Sequence, residues 1–109
     1  MCIKGANKGR GYAIKDGKNF IGRASSMDIQ ISGDKKIEKK NHAVIIYDSR
    51  QKEAILLPTE SHGMVYWQGQ AIFEKVVLEP FNDIELGESA FKYAPFCGAD
   101  FDWKEEGEQ

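Results

Sequence analysis

The sequence predicts an all-β fold, a sandwich of short antiparallel strands, and three observations carry that prediction. Stretches rich in β-branched and aromatic residues recur along the chain, none longer than five residues. Clusters of Gly, Asn, Asp and Ser separate them at short intervals, as at residues 16–18, 32–34 and 48–52. Nowhere do apolar residues hold the i, i+3, i+4, i+7 spacing that gives a helix one apolar face.

The strands are expected at 12–15, 20–21 and 29–31, the last alternating apolar with polar as a strand with one wet face does. Residues 43–47 are apolar throughout, which places them at the centre of a sheet. Strands at 54–57 and 64–67 follow, with Tyr66 and Trp67 expected to cover a sheet edge. Residues 76–78, 83–86 and 91–94 complete the set; Ile84-Glu85-Leu86 and Phe91-Lys92-Tyr93 alternate cleanly. Phe81, Phe91 and Tyr93 are expected in the core. With no internal repeat and no low-complexity linker, one domain is expected over residues 1–97, followed by an acidic tail over 98–109. Within residues 96–103 the aromatic residues Phe96, Phe101 and Trp103 are interleaved with acids, a pattern that either folds back on the sandwich or docks on a partner.

A chain of 109 residues with 41% hydrophobic content is too apolar for disorder. Its length suffices for one core, but not for a core plus a large enclosed active site. Cys2 and Cys97 are too few for a disulfide scaffold, and with two histidines no metal-ligand pair stands out, so no metal and no cofactor is expected. No apolar run approaches the roughly 18 residues a membrane span needs, so a soluble, cytoplasmic domain without membrane contact is expected. The net charge of −2 hides an asymmetry: residues 1–42 carry ten Lys/Arg against four Asp/Glu, and residues 43–109 carry five against thirteen. The basic part suits an anionic ligand, while the acidic remainder and the lack of a basic-aromatic strand pattern argue against nucleic acid.

Three loop segments gather polar residues that a sandwich core does not need: Gly22-Arg23-Ala24-Ser25-Ser26, Lys39-Lys40-Asn41-His42 and Glu60-Ser61-His62-Gly63. Together with Asn82-Asp83-Ile84-Glu85-Leu86-Gly87, their order and spacing resemble the forkhead-associated (FHA) domain. That family's pattern reads Gly-Arg, then Ser-Arg-x-His, then Thr-Asn-Gly, then a late Gly-Asp with an apolar-x-Leu-Gly. The resemblance implies a sandwich of about eleven strands in two sheets, with loops at one end that bind phosphothreonine in an extended peptide. It implies a signalling or adaptor module, not an enzyme, whose partner is a phosphothreonine-containing protein such as a Ser/Thr kinase or its substrate. Ser61 and His62 are neighbours in sequence, and no G-x-S-x-G elbow is present, so nothing in the chain argues for catalysis.

By this resemblance Arg23 is the first phosphate ligand, because a planar guanidinium offers paired donors to two phosphate oxygens. Ser25 is a possible hydroxyl donor, though Ser25 and Ser26 also suit a turn. Lys39 stands where the family has its phosphate-binding Ser, and Lys40 where it has Arg or Asn, so directional recognition gives way in part to charge. Ser61 replaces the family's Thr and keeps its hydroxyl; His62 replaces the Asn that holds the peptide backbone. Gly22, His42 and Gly63 are read as structural: Gly22 lets the chain turn into the loop, His42 ties the loops together, and Gly63 serves a positive φ or a close approach of chains. Because Lys39 and His62 replace two recognition residues, the alternative is a degenerate scaffold of this fold that binds an unphosphorylated protein surface.

Overall fold

The computed structural model describes residues 1–5 and 10–94. The segment after residue 94, with the acidic tail, lies outside the described residues. Eleven strands occur in chain order: β1 (Cys2–Gly5), β2 (Gly11–Ala13), β3 (Gly17–Gly22), β4 (Ile29–Gln30), β5 (Ala43–Asp48), β6 (Glu53–Pro58), β7 (Val65–Trp67), β8 (Gln70–Ala71), β9 (Val76–Leu78), β10 (Asp83–Leu86) and β11 (Ser89–Ala94). They form a six-stranded sheet in the order β2-β1-β11-β10-β7-β8 and a five-stranded sheet in the order β4-β3-β5-β6-β9. The all-β sandwich is therefore as expected. No helix among the described residues is long and apolar enough to cross a membrane.

Period-two patterning decides which side chains meet between the sheets. Ile84 and Leu86 are fully buried while Asp83 and Glu85 are exposed. Ile3, Val65, Phe91 and Tyr93 join them from the six-stranded sheet, and Ile21, Ile45, Leu56 and Leu78 face them from the other. Each fully buried Ile or Leu contributes about 1.5–3 kcal/mol relative to exposure. Asn19 is also buried, and its side chain accepts from the Lys15 N–H (2.9 Å) and donates to the Ile45 carbonyl (3.0 Å), so its polar atoms are satisfied.

Strand β5 is central in its sheet, as its apolar run predicts. Ala43 and Ile45 face the core, whereas Val44 and Ile46 sit on the outer side and are covered laterally by Phe20, Leu57 and Ile55 across the register. Phe81 departs from expectation: it is 40% exposed, in a turn where its φ is +69° and its N–H donates to the Tyr93 carbonyl (2.7 Å). One strand pair departs from the antiparallel expectation. β4 runs parallel to β3, pairing Ile21 with Ile29, because the Asp28 carboxylate accepts the Phe20 N–H (2.9 Å) and draws the chain back alongside β3 after only six residues.

Register also assembles one end of the molecule. Ile21 pairs with Ala43, and Ala43 pairs with Pro58, so the loops after Gly22, before Ala43 and after Pro58 leave the five-stranded sheet side by side. Leu86 pairs with Val65, which brings the Gly87–Glu88 turn to the same end.

Candidate functional site

His42 stands at the centre of this end, 1% exposed. Its N–H donates to the Ile21 carbonyl (2.7 Å), continuing the β3–β5 ladder by one step. The ring links its own loop to the one before β7: Nδ1 accepts the Glu38 N–H (2.9 Å), and Nε2 lies 2.8 Å from the Met64 carbonyl. A ring nitrogen facing an N–H must accept and one facing a carbonyl must donate, so Nδ1 is the acceptor and Nε2 the donor in this arrangement. One ring thus holds the backbone at Glu38 and at Met64 together.

Gly63 packs flat against that ring. A Cβ at position 63 would run into His42 Cε1, so close approach of chains, and not positive φ, requires glycine there. Gly22 has the same reason to lack a side chain, since a Cβ would lie 2.7 Å from the Lys39 carbonyl oxygen. That closeness lets Ala24 N–H bond the Lys39 carbonyl (2.8 Å) and Arg23 N–H bond the Glu38 carbonyl (3.1 Å), lacing the first loop to the second.

Arg23 is half-buried, and its Nε donates to the Ile37 carbonyl at 2.5 Å. This fixes the plane of the guanidinium and leaves its Nη groups without a hydrogen-bond partner among the described residues. Asp28 does not pair with Arg23; it is taken by Lys15 at 2.7 Å, and that contact together with the Phe20 N–H holds its carboxyl below the usual range. Ser25 and Ser26 are exposed within a turn closed by the Met27 N–H on the Ala24 carbonyl (3.1 Å), the turn reading of the sequence. Lys39 and Lys40 are exposed, as is His62.

Ser61 is half-buried and its hydroxyl is engaged inside its own loop, accepting the Gly63 N–H (3.3 Å) and lying 3.5 Å from the His42 carbonyl. Beside it, Thr59 bonds the Asn41 carbonyl through its hydroxyl and accepts the Ser61 N–H (3.2 Å). Thr59 was missed in the sequence, although a Thr hydroxyl bonding backbone two residues on is a recurring local pattern in loops.

Asp34 was also missed. It is 9% exposed and accepts three hydrogen bonds: from the Lys36 N–H (2.9 Å), the Glu88 N–H (2.7 Å) and the Ser89 hydroxyl (2.7 Å). Burial alone raises a carboxyl's pKa, but here those bonds outweigh it and hold the group below its ordinary range. Asp34 thus braces the loop between β4 and β5 against the opposite sheet, and Gly87, at φ +60°, turns tightly above it. The local bond to Lys36 is an Asx turn legible in sequence; the bonds to residues more than fifty positions away are not. With Asp28 paired and Asp34 buried, the cations Arg23, Lys35, Lys36, Lys39 and Lys40 dominate the surface of these loops. No group of three metal-ligating side chains occurs among the described residues.

This all-β sandwich thus carries a His-laced loop end with cations that make no ion pair among the described residues, and comparison with solved structures agrees on the fold. The FhaA FHA domain, solved with the intracellular domain of Rv3910, superposes with a TM-score of 0.74 at 22% identity, covering 84% of this chain and 96% of that one. The FHA domain of CT664 from Chlamydia trachomatis gives 0.75 at 23% identity, covering 87% and 96%. The yeast Dun1 FHA domain, solved with a doubly phosphorylated peptide, gives 0.71 at 16% identity, covering 93% and 77%. A comparison with curated proteins gave no match. The sequence matches the FHA domain family over residues 19–87, and the chain belongs to that family.

Proposed function

We propose that this domain is a non-catalytic recognition module that binds a phosphothreonine-bearing segment of a partner protein. The observation that carries the reading is Arg23: its Nε is tied to the Ile37 carbonyl while its Nη groups have no hydrogen-bond partner among the described residues, which presents a fixed pair of donors to two phosphate oxygens. Lys39 and Lys40, exposed on the adjoining loop, supply charge, and His62 supplies a polar tip beside them. Ser61 supports the loop through its hydroxyl contacts and offers a further lone pair or proton to the ligand. Family membership and neighbours solved with phosphopeptides support the same reading.

Hydrogen bonds to charged groups are worth about 1.5–3 kcal/mol, so Arg23→Ala is expected to weaken binding of a phosphothreonine peptide roughly tenfold or more while the melting temperature changes little. Calorimetry on peptides selected from a phosphothreonine library measures this. Equal affinity for phosphorylated and unphosphorylated peptide would instead establish the scaffold that binds an unmodified surface, the reading favoured by Lys39 and His62 in place of the family's Ser and Asn.

A further inference from the structure

A cleft of about 330 Å³ opens between the β1–β2 ribbon and the start of the loop that follows β4, and none of the residues assigned to phosphate lines it. Its floor is apolar: Ile31 and Phe91 are each 3% exposed. Tyr12 forms one wall, its ring edge-on to Phe91 with centroids 6.0 Å apart. The Arg10 guanidinium lies over the Tyr12 ring, 5.4 Å from its centroid. The opposite wall is Ser32 and Gly33; at Gly33 a Cβ would meet nothing within 4 Å, so that side is open to an entering chain.

The cleft brings together one cation, Arg10, and one carboxylate, Asp34, that do not pair with each other. Asp34 reaches the lining, but its oxygens are occupied by the Lys36 and Glu88 N–H groups and the Ser89 hydroxyl. Among the described residues no carboxylate pairs with Arg10. A guanidinium held over a ring loses little freedom on binding, so Arg10 is a pre-positioned donor to a carboxylate above an apolar floor.

The cleft and the phosphate loops share one braced segment. From Ser32 and Gly33 the chain passes through Asp34, whose carbonyl accepts the Ile37 N–H (3.2 Å), to Ile37, whose carbonyl holds Arg23 Nε. We propose that this cleft is a second anchoring site for the partner, which takes an apolar side chain adjacent to a carboxylate. Its assignment to the phosphothreonine-bearing partner rests on the function proposed above; the chemistry of the cleft does not.

The experiment therefore has two arms. In the first, the amide resonances of the labelled domain are followed on titration with 3-phenylpropionate, a ring and a carboxylate in one small probe. Saturable shifts are expected at Ser32, Gly33 and Phe91, weakened about threefold to tenfold by Arg10→Ala and unchanged by Arg23→Ala. Absent shifts, or shifts indifferent to Arg10→Ala, overturn the site. In the second arm, a phosphothreonine peptide library is selected on the wild-type domain and on Arg10→Ala. An apolar-acidic pair is expected to be enriched on the former and its acidic member lost on the latter, with the phosphothreonine requirement kept by both. Probe binding without any such enrichment overturns the anchoring role. Probe binding with no phosphothreonine requirement defeats the proposed function and leaves the cleft standing.

Discussion

The support beneath the loop end and the tips above it are held in opposite ways. His42 and Asp34 are buried, and their side chains between them engage backbone groups of Glu38, Met64, Lys36 and Glu88. Lys39, Lys40 and His62 project into solvent, and no ion pair of theirs occurs among the described residues. The support matches the family pattern at His42, Gly22 and Gly63; the tips depart from it at Lys39, Lys40 and His62. A binding end can therefore keep its geometry while the chemistry it presents is exchanged, because a buried hub constrains several loops at once and an exposed tip constrains none.

The sharpest way to break this contrast is at Gly63. Gly63→Ala forces a methyl group into the His42 ring, and the ring cannot retreat without releasing the Glu38 N–H or the Met64 carbonyl. A loss of about 3 kcal/mol or more in chemical denaturation is expected, with phosphopeptide binding lost alongside. Wild-type stability in this variant would mean that the hub tolerates displacement and that the support is not rigid.

A smaller effect is expected at Asp34. Asp34→Asn keeps the size but turns one of two acceptor oxygens into a donor facing an N–H or hydroxyl, at a cost of about 1–3 kcal/mol near neutral pH. The folded-state pKa lies below the ordinary value of 3.8. The stabilisation by ionised Asp34 is thus fully present above that ordinary value and is lost as pH falls through the folded-state pKa. Denaturation curves across this acid range should be steeper in pH for the wild type than for the variant; equal slopes would show that Asp34 is not the titrating brace.

The smallest effect is at the tips and concerns specificity more than stability. An exposed ammonium attracts phosphate through a field that salt screens within about 8 Å at physiological ionic strength. Lys39→Ser restores the family's hydroxyl, and it is expected to flatten the salt dependence of phosphopeptide affinity, with a change in melting temperature too small to resolve. An unchanged salt slope in calorimetry would place the Lys39 ammonium away from the ligand.

What could be read in the sequence follows the same division between local and distant causes. Alternation marked β10 and β11, and the apolar run of 43–47 marked the centre of its sheet, because both signals are local. Strand β1 and the two-residue β8 escaped because Cys2–Gly5 and Gln70–Ala71 carry few β-branched residues and form strands only through their neighbours. His42 and Gly63 were legible through a family pattern. Asp34 and Thr59 were not, since their importance lies in groups that the fold brings from far along the chain or around a loop corner. Ser61 was identified by its hydroxyl, but that this hydroxyl already serves Gly63 and His42 is a fact of geometry alone.

The pairing of β1 with β11 has a kinetic consequence. Every strand of the five-stranded sheet comes from residues 17–78, and β3, β5 and β6 pair with near neighbours in sequence, whereas the six-stranded sheet joins Cys2 to Ala94. The entropy of closing a loop grows with its length, so the five-stranded sheet forms first, and pulse-labelled amide exchange should protect β5 and β6 before β1. The three loops of the binding end grow out of that early sheet, but the Asp34 brace waits for the turn at Glu88. A chain still emerging during synthesis is thus expected to hold the loops before it holds their final shape, which is among the last features the domain acquires.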